Sequence, residues 1–146
     1  MKTYGIHGAL ALALRLALRL ALSAAAAYPL SSMAQKLDAN GIGRTEAIRH
    51  DFDANREAIQ VKVDFGPHAA FPKHSHPGVE IAYVLEGTME YELNGKAVVL
   101  KAGDALYIPA GTVHSARNLG TGNASELATY IVDKNKPIVV LDQPSK

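Results

Sequence analysis

From residue 59 onward the chain is cut into short apolar runs by turn residues, and no stretch carries the long 3.6-residue periodicity of an amphipathic helix. Ile59, Val61, Val63 and Phe65 alternate with Gln60, Lys62 and Asp64, a period of two that predicts a half-buried strand ended by Gly66-Pro67. Further short strands are expected at 79–86, 89–93, 97–100, 105–108, 112–118, 127–132 and 138–141. Asn94-Gly95 favours positive φ at both central residues of a two-residue hairpin turn. Glu86-Gly87, Gly103-Asp104 and Pro109-Ala110-Gly111 punctuate the remaining joints. Many short strands with frequent turns predict an all-β fold, an antiparallel sandwich or barrel. The segment 44–52 reads equally as a strand or as one helical turn.

Length and composition narrow the function classes. A chain of 146 residues with 48% hydrophobic content supports one core. There is no cysteine, so disulfides, thiolate metal sites and cysteine nucleophiles are excluded, and any metal must sit on nitrogen and oxygen ligands. Of the fifteen basic residues Lys2, Arg15 and Arg19 precede residue 35, which leaves twelve against fourteen acidic ones in the rest. With no basic stripe, nucleic acid is not an expected partner.

The first 35 residues differ from everything after them, being rich in Ala and Leu and free of acidic residues. Lys2, Arg15 and Arg19 fit a positive n-region, Leu20 to Leu30 a short apolar core, and Ser32-Met33-Ala34 a small-x-small cleavage site. The expectation is a secretory signal over 1–34, a linker over 35–43 and one domain over 44–146, with export to the periplasm. An organelle transit peptide is the alternative, as is a cytoplasmic product starting at Met33. A stable membrane span is not expected, because Arg15 and Arg19 would cost about 2.5–3.5 kcal/mol each at its centre.

The chemistry lies in two short motifs. HSHPGVE places His74 and His76 two residues apart, so that on an extended backbone both imidazoles leave one face. Glu80 follows in an apolar run, where a carboxylate is costly to bury unless paired or bound to metal. Pro77-Gly78 interrupts the strict parity between them. His114 follows Val113 in a run expected to be buried. Each residue has a bland alternative, a solvated strand edge for the His pair and a satisfied core histidine for His114.

Gly66, His74, His76, Glu80 and Gly87 together resemble the first motif of the cupins: glycine, HxH, a glutamate after three or four residues and a glycine after six more. The gap from Gly66 to His74 is longer than that motif usually has. Gly103, Pro109, Gly111, His114 and Asn118 resemble the second cupin motif at every spacing, and fifteen residues separate the two. The resemblance implies a small single-domain jelly-roll barrel in which His74, His76, Glu80 and His114 hold one divalent transition metal ion (Fe, Mn, Ni, Zn or Cu). It also implies a metal-dependent enzyme acting on a small organic molecule, similar to quercetin-type dioxygenases, with Glu80 doubling as a general base when its metal bond is loose. A noncatalytic binding or sensing cupin is the alternative, and an isomerase or lyase a second.

Phe71, Ala82, Val84, Leu106, Ile108 and Ile131 are the expected apolar lining of the ligand cavity. Arg117 is the one cation of interest, expected more on a solvated strand face than against substrate. His68 and Tyr130 lie near the motifs and are expected outside the site rather than behind its ligands. Asn118 is expected to cap backbone groups. Val79 to Leu85 is apolar on both strand faces apart from Glu80, so a partner chain is expected over one face, and similar cupins are commonly homodimers.

Overall fold

The computed structural model describes residues 36–142, so the expected signal, its cleavage site and the alternative start at Met33 lie outside the described residues. The fold is all-β, with no helix among the described residues. Ten strands follow in order: β1 (Ile42–Asp51), β2 (Arg56–Phe65), β3 (Ala70–Ser75), β4 (Gly78–Glu86), β5 (Thr88–Leu93), β6 (Lys96–Lys101), β7 (Ala105–Ile108), β8 (His114–Asn118), β9 (Ala124–Asp133) and β10 (Val140–Leu141). They form two five-stranded sheets, β1-β2-β9-β4-β7 and β10-β3-β8-β5-β6, in which every pairing is antiparallel. The chain changes sheet at every step from β2 to β5 and again at every step from β6 to β10, which is the winding of a jelly roll.

The period-two reading of β2 holds side chain by side chain. Ile59, Val61, Val63 and Phe65 are all buried between the sheets, where Met89 and Tyr91 meet them from β5. Each large apolar side chain taken out of water there is worth about 1.5–3 kcal/mol. Asn94 and Gly95 have φ of 49° and 79°, the paired left-handed conformation that a two-residue hairpin needs, and they join Leu93 to Lys96 in register.

The undecided segment at 44–52 is a strand, because β2 offers it a complete edge from Phe65 back to Glu57. It starts at Ile42, whose side chain joins the core, and Asp38 caps the turn before it by accepting from the Asn40 and Ile42 N–H groups. Two elements escaped the periodicity. β3 contains Pro72 and does not alternate; its pairings with β8 and β10 create it. β9 starts at Ala124 rather than Leu127, since Ser125 and Glu126 read as turn residues but are buried in the sheet.

Candidate metal centre

Pro72 lies in the stretch of β3 where the ladder to β8 slips: Phe71 pairs with Ala116 but His74 pairs with His114, three steps on one strand against two on the other. Proline has no N–H to give to a ladder, so an extra residue is accommodated there. The Pro72 carbonyl is left free to accept a hydrogen bond from His74 Nδ1 at 2.8 Å. The bulge also sets His74 directly across from His114.

His76 and Glu80 come together in another way than strand parity. His76 follows the end of β3, and Pro77-Gly78 carries the chain into the other sheet, so His74 and Glu80 face each other from opposite walls. Gly78 makes the crossing possible. A Cβ on it would lie 2.1 Å from the Ile131 carbonyl oxygen, so no side chain fits where β4 starts beside β9. All four residues are buried, and one ligand atom from each lies within 4.8 Å of the others.

The hydrogen bonds behind the imidazoles orient them. His74 Nδ1 donates to Pro72 O, His76 Nδ1 to Ile138 O and His114 Nδ1 to Thr112 O. A carbonyl oxygen only accepts, so in each neutral ring the proton sits on Nδ1 and the Nε2 lone pair is free. Those lone pairs converge on the Glu80 carboxylate, with His76 Nε2 2.8 Å and His114 Nε2 3.2 Å from Glu80 Oε2. His76 Nε2 and Glu80 Oε2 nevertheless have no hydrogen-bond partner. Buried acceptors crowded together and left unsatisfied are costly. A divalent cation satisfies them, and a set of three imidazoles and one carboxylate suits a first-row transition metal with coordination positions to spare.

The electrostatics fit the same role. Burial alone would raise Glu80, but the His114 and His76 imidazoles, when Nε2 carries a proton in place of a metal, override it and hold its carboxyl at about 2. Burial, with His114 nearby, presses His74 down to about 4, so it is neutral and ready to ligate at neutral pH. His114 is raised: burial works against its charged form, but the Glu80 carboxylate and the Thr112 carbonyl outweigh it.

Beside this cluster lies a cavity with about 10 Å³ open to the centre of a water-sized sphere, room for about one water molecule. Its lining corrects the expected one. Of the six apolar residues named, Phe71 alone is among those that line it. Ala82, Val84 and Ile108 are packed into the core, Leu106 is half-buried against it, and Ile131 faces a shallow outer cleft with Val79 and Arg56. Tyr130 belongs to the site, with its ring 4.8 Å from that of His76 and burial raising its hydroxyl pKa. His68 does not; it is exposed in a turn, with φ of 56°. Arg117 is exposed and pairs with Glu90 at 2.8 Å.

The cation at the cavity is Arg44, which sequence reasoning passed over. Its guanidinium lies over the Phe71 ring at 5.4 Å from the centroid, donates to the Tyr130 hydroxyl at 3.4 Å and lines the cavity. Phe71 in turn packs edge-on against His74 at 4.7 Å. Glu126 was missed as well. Fully enclosed on β9, it accepts a hydrogen bond from the Tyr91 hydroxyl of the facing sheet. Burial, reinforced by the Glu80 charge, pushes its carboxyl up to about 8. Asn118 has the capping role expected of it, donating to Gly66 O and Gly122 O and accepting from the Gly120 N–H.

Residues 61–130 match the family model described as Cupin domain. The oxalate-binding protein of Thermotoga maritima is 33% identical over 79 residues, 53% of this chain and 65% of that protein. The solved structure of KdgF from Halomonas sp. is 30% identical over 66% of this chain and 83% of its own, with a TM-score of 0.54. Recombinant oxalate oxidase in complex with glycolate, 24% identical over 71% of this chain and 56% of its own, shares the fold with a TM-score of 0.60. Two spaced motifs, a two-sheet jelly roll and a matching domain model agree, and the chain belongs to the cupin superfamily as a small single-domain member.

Proposed function

We propose that this cupin holds one divalent transition metal ion on His74, His76, Glu80 and His114 and uses it to bind a small carboxylate of about the size of oxalate or glycolate. The observation that carries the proposal is Arg44: a planar guanidinium at the mouth of a metal-ligand cluster is the partner a carboxylate needs beyond the metal. A cavity with room for about one water molecule disfavours a flavonol-sized ligand more than a small carboxylate, which must itself displace side chains to enter. The likeness to an oxalate-binding protein supports the same class of ligand. When bound, the metal supplies a Lewis acid and a template for ligand oxygen atoms. Tyr130 stays protonated and steadies the guanidinium, and Phe71 shields His74 from solvent.

Within this reading, turnover of oxalate is oxygen-dependent cleavage of its C–C bond, in which two electrons pass to O2 and two CO2 and, with two protons, H2O2 leave, an oxidase rather than a dioxygenase step. Glu80 is a ligand first and accepts a proton from the bound molecule only when its own metal bond loosens. The noncatalytic alternative, a binding protein, is favoured by the tight cavity and by the relative's printed role. The test combines metal analysis of the purified protein with oxalate and glycolate titrations of the Mn, Fe, Ni, Zn and Cu forms, wild type against Arg44→Gln. Binding weakened at least about tenfold by the substitution supports the proposal; equal binding by both proteins overturns the role of Arg44. Oxygen consumption on adding the anion marks an enzyme, and binding without consumption marks a binder.

Two further parts of the reading concern the whole protein. Ile81, Tyr83 and Leu85 on the outer face of β4, with Tyr107 opposite Ile81 on β7, form an exposed apolar strip without charges to repel its own copy. We assign it to a homodimer, checked by sedimentation of wild type against Tyr83→Lys. Residues 1–34 are assigned to export, and the mass of the mature N-terminus decides it: an intact Met1 on protein from the native cell overturns the assignment.

A further inference from the structure

The inner face of the β4·β9 pair is layered. Glu80 lies beside Tyr130, Ala82 beside Ala128, and Val84 beside Glu126. The two acids are thus two layers apart, and the layer between them is built from alanines, both fully buried. The facing sheet repeats this: His114 stands level with His74, and one inner position further along, Ala116 pairs with Phe71 and Tyr91. Of these small side chains Ala116 lines the cavity, between His114 and the polar pair. Glu126 and Tyr91 line the same cavity as His74, Glu80 and His114.

The polar pair has no evident structural purpose where it stands. Glu126 is flanked in its sheet by Val63 and Val84 and accepts a hydrogen bond from Tyr91. Replacing such a buried pair by apolar groups of the same shape is often neutral or stabilising.

We propose that Glu126, braced by Tyr91, contacts the ligand bound at the metal cluster and selects ligands that carry oxygen atoms at both ends. The inference rests on the carboxylate reading of the site and names the group that reads the ligand's inner end. As a neutral acid Glu126 adds a hydrogen-bond donor for an anion without a second negative charge beside Glu80. Acetate, with a methyl group at its far end, gains nothing from it.

The experiment titrates the metal-loaded protein with oxalate and with acetate by calorimetry and takes the ratio of the two affinities. Metal content and melting temperature are measured on each variant. Glu126→Gln, which keeps a donor and an acceptor, is expected to hold the ratio within about threefold. Glu126→Leu is expected to lower it about tenfold or more through weaker oxalate binding alone, the worth of one lost hydrogen bond. Tyr91→Phe keeps the ring and is expected to lower the ratio a few-fold, and it decides the matter if the leucine variant does not fold. A folded, metal-loaded leucine or phenylalanine variant with the wild-type ratio overturns the proposal, since a merely structural role moves the melting temperature and leaves the ratio alone. A metal-loaded wild type that binds neither anion overturns the carboxylate reading itself.

Discussion

Glu80 and Glu126 are the same side chain on neighbouring strands of one sheet, 3% and 4% exposed, and they are driven in opposite directions. At Glu80 the imidazoles of His76 and His114 more than offset the cost of burial, and the carboxylate stays charged. At Glu126 burial wins, because its hydrogen-bond partner is a tyrosine hydroxyl and the charge that acts on it most strongly is that of Glu80. Charge at a buried acid is thus decided by what surrounds it. One region of the interior gathers four buried groups that could hold a cation, and the other stays neutral beside it.

The sharpest way to break this comparison is to make the same substitution at both acids. Four-ligand protein sites gain about 10–16 kcal/mol from zinc, or roughly 2.5–4 kcal/mol per ligand. Glu80→Gln should therefore weaken metal binding on the order of several hundredfold, while Glu126→Gln should leave it within about threefold; competition against a chelating dye measures both. Equal losses would mean that the two regions are not distinct.

A pH series on metal-free protein comes next. Glu126 binds its proton more tightly when folded, so its contribution is fully present below its unfolded pKa of roughly 4.3 and is lost as pH rises toward about 8. Glu80 is the reverse, with a contribution present above that unfolded value and lost as pH falls toward about 2. Wild type should lose on the order of 2–4 kcal/mol of unfolding free energy between pH 5 and 8 that Glu126→Gln keeps. Urea denaturation at each pH gives the difference, and parallel curves for the two proteins would refute the neutral acid.

Asn118→Ala supplies a buried polar residue outside the cavity for contrast. Removing its hydrogen bonds to the Gly66 and Gly122 carbonyls and the Gly120 N–H should cost about 1–3 kcal/mol of stability with metal and anion affinities unmoved. The smallest effect belongs to the exposed pair: Arg117→Ala should change stability by less than about 0.5 kcal/mol and anion binding not at all, in contrast to Arg44→Gln.

The two motifs and the turn residues were legible because they are local. Asn94-Gly95 fixes a hairpin through its own dihedrals, and β2 announces its inner face by alternation. What escaped depends on contacts between distant segments. Ser125 and Glu126 look like the end of a turn, and only the placement of Val63, Val84 and Tyr91 around them makes a buried strand of that stretch. Arg44 stands 30 residues before His74, and nothing in its neighbourhood marks it; pairing of β1 with β2 carries it to the cavity. Ile131 was misplaced by counting parity along β9 from the wrong side: Tyr130 and Val132 point inward. The nearness of His76 and Glu80 is a property of two sheets meeting at Gly78 rather than of one extended strand.

The carbonyl that orients His76 comes from Ile138, on the segment that leaves β9 and pairs as β10 with the edge of β3. The last stretch of the described fold is therefore tied to one of the candidate metal ligands, and through it to any cation the site holds. Whatever anchors the ion also holds residues 138–141 against β3, and by linkage whatever loosens that short strand lowers affinity for the ion by the same free energy. Metal availability would then be legible from outside the molecule, as protection of its C-terminal edge from proteases and from hydrogen exchange.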